Sequence, residues 1–383
     1  MRHSIKMIFF LFLFTISCVE PYIPSVIVID HNYLVIDGFL VGNDSTFIKL
    51  SRTQVIAEDT ASQPEPDASI QIESESGSVY PLQEKNNGLY VAPSFGLDPA
   101  NQYRLRVITS NAHEYLSDFA SMESSPSLDS VTFVEDLEDD DIDFKVFAHD
   151  DENNSPYYLW TFDETWQYSA GLTRYFYQDG QMIPRVNAAL FYFCWKTVPH
   201  NNVYLHSTTA LSADVVFDFN LFSIPQTSRK LYYGYSILVK QYSLTKEAFD
   251  YWTLTKKNSE SLGGLFDPMP SQALSNFRCV HHPDEPVIGH FSASTVQKKR
   301  LFFNRSQISG PTSGPYGLTG YEDCDTTLVR VADISAETMD RRHVIEPFFD
   351  LVSQEIIGYI VMQEECVDCR FKGGVLTKPA YWR

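Results

Sequence analysis

Ala68–Glu73 (ASIQIE), Ser78–Leu82 (SVYPL), Gly88–Ala92 (GLYVA), Gln102–Ile108 (QYRLRVI) and Glu114–Phe119 (EYLSDF) follow one another with short polar breaks between them. Apolar and polar side chains alternate in these segments, the period of a strand with one face in a core and the other in water. The breaks are turn chemistry: Ser76-Gly77, Asn86-Asn87-Gly88 and Asp98-Pro99-Ala100-Asn101. Asn-Gly signals a hairpin because both residues tolerate positive φ. Working outward, Tyr33–Leu40 (YLVIDGFL) and Ser45–Leu50 (STFIKL), separated by Gly42-Asn43-Asp44, add two more strands. About seven short strands at this spacing predict an immunoglobulin-like or fibronectin-like β-sandwich over residues 33–122.

A Ser/Pro-rich joint, Ser121 to Ser130, follows, and then Glu135–Asp143 (EDLEDDDID), in which seven of nine residues are carboxylates. Oxygen-rich loops can bind Ca²⁺, but the D-x-[DN]-x-[DN]-G spacing is missing, so residues 123–143 read as a solvated acidic linker. The second half is again mostly strand. Tyr157–Phe162 (YYLWTF) alternates, Leu190–Trp195, Asp214–Phe219 and Lys230–Tyr242 continue the pattern, and Phe144–Ala148 and Tyr175–Tyr177 read as edge or hairpin strands. One segment breaks it. Leu244, Ala248, Tyr251, Trp252 and Thr255 recur at helical spacing, with Ser243 or Thr245 at the N-cap and Glu247 in the first turn. This predicts an amphipathic helix near 244–260 docked on a sheet and ended by Gly263-Gly264. Ser306–Thr326, rich in Gly, Ser and Pro, reads as a long loop. The fold expected is mainly β: an N-terminal sandwich, then a second β-rich domain over 144–383 with one docked helix.

The chain start has the anatomy of an export signal. Arg2, His3 and Lys6 precede the apolar run Met7–Phe14, and Thr15-Ile16-Ser17 leads to Cys18. The run is shorter than the roughly 18–20 apolar residues that span a bilayer, and a cysteine after small or β-branched residues is what a lipobox requires. Residues 1–17 are thus expected to be a lipoprotein signal peptide, Cys18 the acylated (palmitate-bearing) residue and 18–32 a tether. A multiply acylated Cys18 would anchor the chain stably to a membrane.

The formal net charge is −20, and removing Arg2 and Lys6 with the signal, which holds no acids, makes it −22. Such a charge excludes nucleic acid, which needs basic patches. Aromatic residues make up 14% of the chain, which suits strands and leaves binding platforms open. Tyr158, Trp160 and Trp166, with Tyr157 and Tyr168 nearby, are candidates for a ligand-stacking patch, although alternation predicts that only half of the rings face outward.

Besides Cys18 there are Cys194, Cys279, Cys324, Cys366 and Cys369, an odd number, in a chain expected in an oxidising compartment. Cys366-Val367-Asp368-Cys369 lacks the second pair of a zinc site and the strand-to-helix setting of a thioredoxin motif. A disulfide from Cys324 to Cys366 or Cys369 is the favoured reading, and Cys194 with Cys279 is weakly supported. His281, His282, Asp284 and Glu285 concentrate metal-ligand types around Pro283, a weak metal candidate that would serve a hydrolase. No nucleophile elbow, phosphate loop, dinucleotide fingerprint or H-E-x-x-H occurs, so neither catalysis nor a cofactor is expected.

Four blocks carry a resemblance: Tyr235–Trp252 (YSILVKQYSLTKEAFDYW), Gly263–Ser271 (GGLFDPMPS), Pro286–Ser294 (PVIGHFSAS), and the ending Cys366–Arg370 (CVDCR) with Gly373-Gly374 and Lys378–Trp382 (KPAYW). With these the chain resembles the domain-of-unknown-function 4249 family of Gram-negative outer-membrane lipoproteins. His290, where an aromatic is more usual, and Tyr381, where Phe is, depart mildly. The resemblance implies no catalytic residue. It implies an outer-membrane location, on the cell surface more than on the periplasmic face, and company with TonB-dependent receptors; Glu20, two positions after Cys18, gives slight support to onward export. The expected function is that of a non-enzymatic accessory to a TonB-dependent transporter that captures or gates a small ligand. The alternative is a scaffold or assembly factor for surface complexes.

Overall fold

The computed structural model describes residues 32–54, 62–171, 176–178, 181–183, 191–200, 202–260, 275–309, 324–335, 337–339 and 342–382. Cys18 with its signal and tether, the Gly263–Ser271 block and residues 310–323 of the long loop lie outside them.

The first unit is a β-sandwich. Strands Leu34–Val41, Thr46–Arg52, Gln83–Asn86 and Leu89–Ala92 form one layer, and Ser69–Ser74, Val79–Pro81, Gln102–Ile108, Glu114–Ser117 and Ala120–Glu123 the other. Alternation decides which side chains meet. Tyr103, Leu105 and Val107 point inward from one strand, Ile70 and Ile72 from its neighbour, and they face Leu34, Ile36, Ile48, Leu50 and Tyr90. The Tyr90 hydroxyl, buried with its ring, is satisfied by the Ala68 amide and the Glu65 carbonyl.

Residues 33–122 do not complete this unit. A segment from the second half returns to it: Ala293–Ser294 runs parallel between Leu34–Val41 and Ala120–Glu123, joining the two layers along one edge. Phe277–Cys279 adds antiparallel to Glu114–Ser117. Between them the Ile36 amide donates to the Ile288 carbonyl and the Ile288 amide to the Leu34 carbonyl, at 2.8 and 2.9 Å. Phe277, Val287, Phe291 and Ala293 enter the same core. These strands are only two and three residues long and Pro283 and Pro286 interrupt the segment, so no period-2 signal marks them.

The stretch read as an acidic linker is instead a hairpin. Ser127–Asp136 pairs with Asp141–Asp150, and residues 137–140 make the turn. The carboxylates crowd the exposed end, while Ile142, Phe144, Val146 and Ala148 alternate inward. The Ser/Pro joint before it is pinned on both sides. The Ser125 amide donates to Thr295 Oγ1, its hydroxyl to the Gln241 carbonyl, and buried Gln241 binds both the Pro126 carbonyl and Trp160 Nε1.

The second unit is another sandwich. The hairpin plus Asp214–Pro225 forms a three-stranded layer; Phe193–Pro199, Tyr157–Ser169, Gly234–Ser243 and Val296–Asn304 form the other, with Tyr204–Ser207 paired to Tyr157–Trp160. Stacked rings fill the space between: Phe162 on Phe222 at 4.2 Å, Phe144 on Phe222 at 4.7 Å. The expected helix is present as Lys246–Glu260. Thr245 is its N-cap, accepting from the Ala248 amide. Its stripe, Ala248, Phe249 and Trp252, packs with Leu244 on Val41 of the first unit and Leu159, Tyr242 and Val296 of the second. The helix therefore sits in the seam between sandwiches. Among the described residues no helix is long and apolar enough to cross a membrane.

A small antiparallel sheet of Thr327–Arg330, Ile356–Gln363 and Arg342–Phe349 precedes the tail, which folds back on the second sandwich. Cys324 bonds to Cys366, and Cys369 bonds to Cys194. The first pairing is one of the two expected. The second corrects the Cys194–Cys279 alternative, since Cys279 is a buried free thiol in the first unit. Val375 pairs with Trp195, the Tyr168 hydroxyl donates to the Cys369 carbonyl at 2.6 Å, and Trp382 lies against Phe302 and Gly234. A Cβ at Gly374 would stand 2.4 Å from Tyr168 Oη, which is why a glycine is needed in the tail block.

Two expected outcomes follow from this packing. Gly289 has φ +144° and its Cβ would meet the Ile36 carbonyl oxygen at 2.4 Å; Gly289→Ala should cost about 2–4 kcal/mol in urea unfolding by strain and lost pairing. Replacing Cys324 and Cys366 together by serine opens a loop of 42 residues, and calorimetry should show a loss of about 4 kcal/mol on the chain-entropy account.

Candidate functional site

The seam between the sandwiches holds a cleft of about 510 Å³, the size of a small-molecule site. Three parts of the chain build it: the strand Leu34–Val41 with the returning segment, the edge of the second sandwich, and the helix. Asp37 and Lys49 stand opposite each other across paired strands. On the facing wall Lys240 Nζ lies 2.7 Å from an Asp163 oxygen. Tyr251 and Trp252 come from the helix, and His290 packs on Tyr251 with ring centroids 5.2 Å apart.

Three buried polar atoms at this cleft have no hydrogen-bond partner: Trp252 Nε1, His290 Nδ1 and His200 Nδ1. Leaving one such group unpaired costs on the order of 1–3 kcal/mol, and all three atoms are closed off from solvent within the walls of the cleft. Burial holds the His290 imidazole below its ordinary pKa, against an opposing pull from Glu247 and Asp118. Asp37, open to solvent through the cleft mouth yet walled by protein, is shifted up by desolvation, with Lys49 opposing. His200 Nε2 reaches to 4.0 Å from Glu164, whose buried carboxylate accepts from Tyr235 Oη and Lys230 Nζ at 2.7 Å each.

A family model, described as a domain of unknown function (DUF4249), matches residues 19–300. The chain belongs to the DUF4249 family. The match takes in the first sandwich, the cleft, the returning segment and the second sandwich as far as the middle of its strand Val296–Asn304. No curated protein matches this DUF4249 chain. Among solved structures it is similar to trypsin-activated alpha-2-macroglobulin from Escherichia coli, at 10% identity and a TM-score of 0.19 over 57% of this chain and 15% of that one. A mutant alpha-2-macroglobulin from Salmonella matches at 8% identity and a TM-score of 0.19, over 86% and 16%. The chain thus spans about a sixth of the length of these macroglobulins, and likenesses this faint carry no argument.

The residues singled out in the sequence fare differently. Tyr158 and Trp160 are no ligand platform: both are fully buried and stack on each other inside the second sandwich, 5.5 Å apart. Trp166 is half-buried, with Lys230 Nζ over its ring at 5.1 Å. His281, His282 and Asp284 are exposed on a turn and do not converge. Glu285 turns the other way, accepting from Tyr115 Oη at 2.6 Å and lying 3.5 Å from His113 Nδ1. Cys18 lies outside the described residues. The cleft itself was missed because its members lie far apart in sequence; the one mark it left is His290 in place of a usual aromatic.

The His290 shift has a measurable sign. Its folded pKa is below the ordinary 6.5, so the unfolded chain binds the proton first and stability falls as pH drops through and below that value. His290→Phe should fold normally and lose stability less steeply between pH 7 and 5, read by urea titrations at each pH.

Proposed function

We propose that this protein is a lipid-anchored accessory of an outer-membrane TonB-dependent transporter that captures a small ligand in the seam cleft without a catalytic step. The observation that carries the ligand reading is the cleft itself, about 510 Å³ in volume and lined by Trp252, His290 and His200 from three different parts of the chain. Two cation–carboxylate couples, Asp163–Lys240 and Asp37–Lys49, flank them, so the lining suits a compact molecule with several hydrogen-bonding groups and little net charge. The anchor at Cys18 and the transporter partner rest on the chain start and on the family resemblance.

The test is purification of the tagged, lipidated protein from outer membranes, with mass spectrometry of co-purifying proteins and small molecules. One stoichiometric barrel protein together with a bound small molecule is expected. Trp252→Ala should keep the barrel and lose the small molecule, and Cys18→Ser should leave the protein in the soluble fraction with no acyl label. Absence of any barrel counts against the accessory role.

A second reading, a scaffold for surface complexes, draws on the hairpin Arg342–Phe349/Ile356–Gln363. Its tip exposes Leu351 and Val352 at 91% and 93%, with Phe348 and Phe349 beside them. Recovery of several surface proteins, lost in Leu351→Ser/Val352→Ser, would move this reading to first place.

A further inference from the structure

The returning segment carries a second cluster, on the first sandwich and made by residues other than those of the cleft. His113, at the turn before Glu114–Ser117, Cys279, at the end of Phe277–Cys279, and Glu285 each offer one ligand atom, and these atoms lie within 4.8 Å of one another. Strand pairing sets the arrangement: Cys279 stands opposite Tyr115, and the Val280 amide donates to the Glu114 carbonyl, which brings the His113 turn over the thiol. The turn closed by the Glu285 amide on the His282 carbonyl swings Glu285 back to meet them.

Two features set this cluster apart from an incidental ion pair. Cys279 is a fully buried thiol in a chain whose four other described cysteines are all in disulfides. Glu285 is oriented by the Tyr115 hydroxyl at 2.6 Å, an outer-shell donor of the kind that fixes a ligating carboxylate.

We propose that His113, Cys279 and Glu285 form a binding site for one zinc-type divalent cation. Sulfur and imidazole together select a borderline-soft metal over Ca²⁺ or Mg²⁺. Ligand bonds of about 2.0–2.3 Å in a tetrahedron put the donor atoms roughly 3.3–3.8 Å apart. The His113–Glu285 pair is already at 3.5 Å, and the rest closes by side-chain rotation. The fourth position faces the exposed turn, where the His282 ring lies 5.2 Å from that of His113. Three protein ligands with one open position leave it to water or to His282. The bound ion would clamp the returning segment onto the strand Glu114–Ser117, a task that disulfides perform in the tail.

The intact purified protein, stripped with chelator and kept anaerobic, is titrated with Co²⁺ alone. One equivalent should produce a thiolate-to-cobalt charge-transfer band in the near ultraviolet, which Zn²⁺ then abolishes. Cys279→Ser should lose the band. Glu285→Gln and His113→Gln keep the thiol and should weaken binding on the order of 100-fold, and Tyr115→Phe about tenfold; Asp284→Asn, exposed on the same turn, should change nothing. Zn²⁺ should raise the melting temperature of the wild type and not of Glu285→Gln. No band in the wild type, or binding unchanged in both Glu285→Gln and His113→Gln, overturns the site. Because those two variants retain the buried sulfur, they decide the matter even if Cys279→Ser does not fold.

Discussion

The exchange of backbone hydrogen bonds between Ile288 and the strand Leu34–Val41 is the constraint on which the molecule turns. It brings residues from beyond the helix back into the first sandwich, and the joint then has no freedom left. Thr295 holds Ser125, Asn43 binds both backbone groups of Val296, and Gln241 takes up Pro126 and Trp160. Two sandwiches connected only at residues 123–126 would swing. Linked a second time through residues 287–296, and wedged by the helix, they share a seam with fixed walls. The shape of the cleft depends on that fixity, because its lining residues His290, Trp252 and His200 belong to different parts of the chain.

Much of this was legible in the sequence where a period repeats. Gln102–Ile108 is a strand over the residues that its alternation marks, and the stripe Leu244, Ala248, Trp252 marks the helix, whose cap is Thr245, one of the two residues that the sequence left open. The acidic hairpin misled for a physical reason. Its charges sit at the solvent end, and the alternation of Ile142, Phe144 and Val146 that makes it a strand lies at the border of the run and partly beyond it. The returning segment was illegible in a stronger sense. Strands of two and three residues have no period, and what stabilises them is the partner they meet, not their own composition. Both candidate sites draw residues from that segment, so neither could be assembled from spacing. His281 and His282 look like ligands in print, whereas the inward residue is Glu285 and its companions are more than a hundred positions upstream or on the neighbouring strand.

The tail is organised by a different principle. Its contacts to the second sandwich include one covalent bridge, Cys194–Cys369, and a few fitted rings: Trp382 on Phe302, Arg300 over Tyr381 at 3.6 Å, and Tyr381 Oη on Thr165 at 2.9 Å. Gly374 lets the backbone lie against Tyr168 and Cys194 where a Cβ has no space. The small sheet is fastened at its base by the Cys324–Cys366 bridge, and its apolar tip projects away from that base.

The way the first sandwich is closed also dictates an order of events. Ser125 and its partner Thr295 are 170 residues apart, and the strand that joins the two layers lies at the far end of that interval. A chain emerging from its N-terminus first therefore has most of the first sandwich in hand but an open edge along Leu34–Val41, until nearly the whole of the second sandwich has followed. An unpaired edge of that kind invites pairing with a neighbour. For this molecule the hazardous moment is the interval before the returning segment arrives to cover that edge.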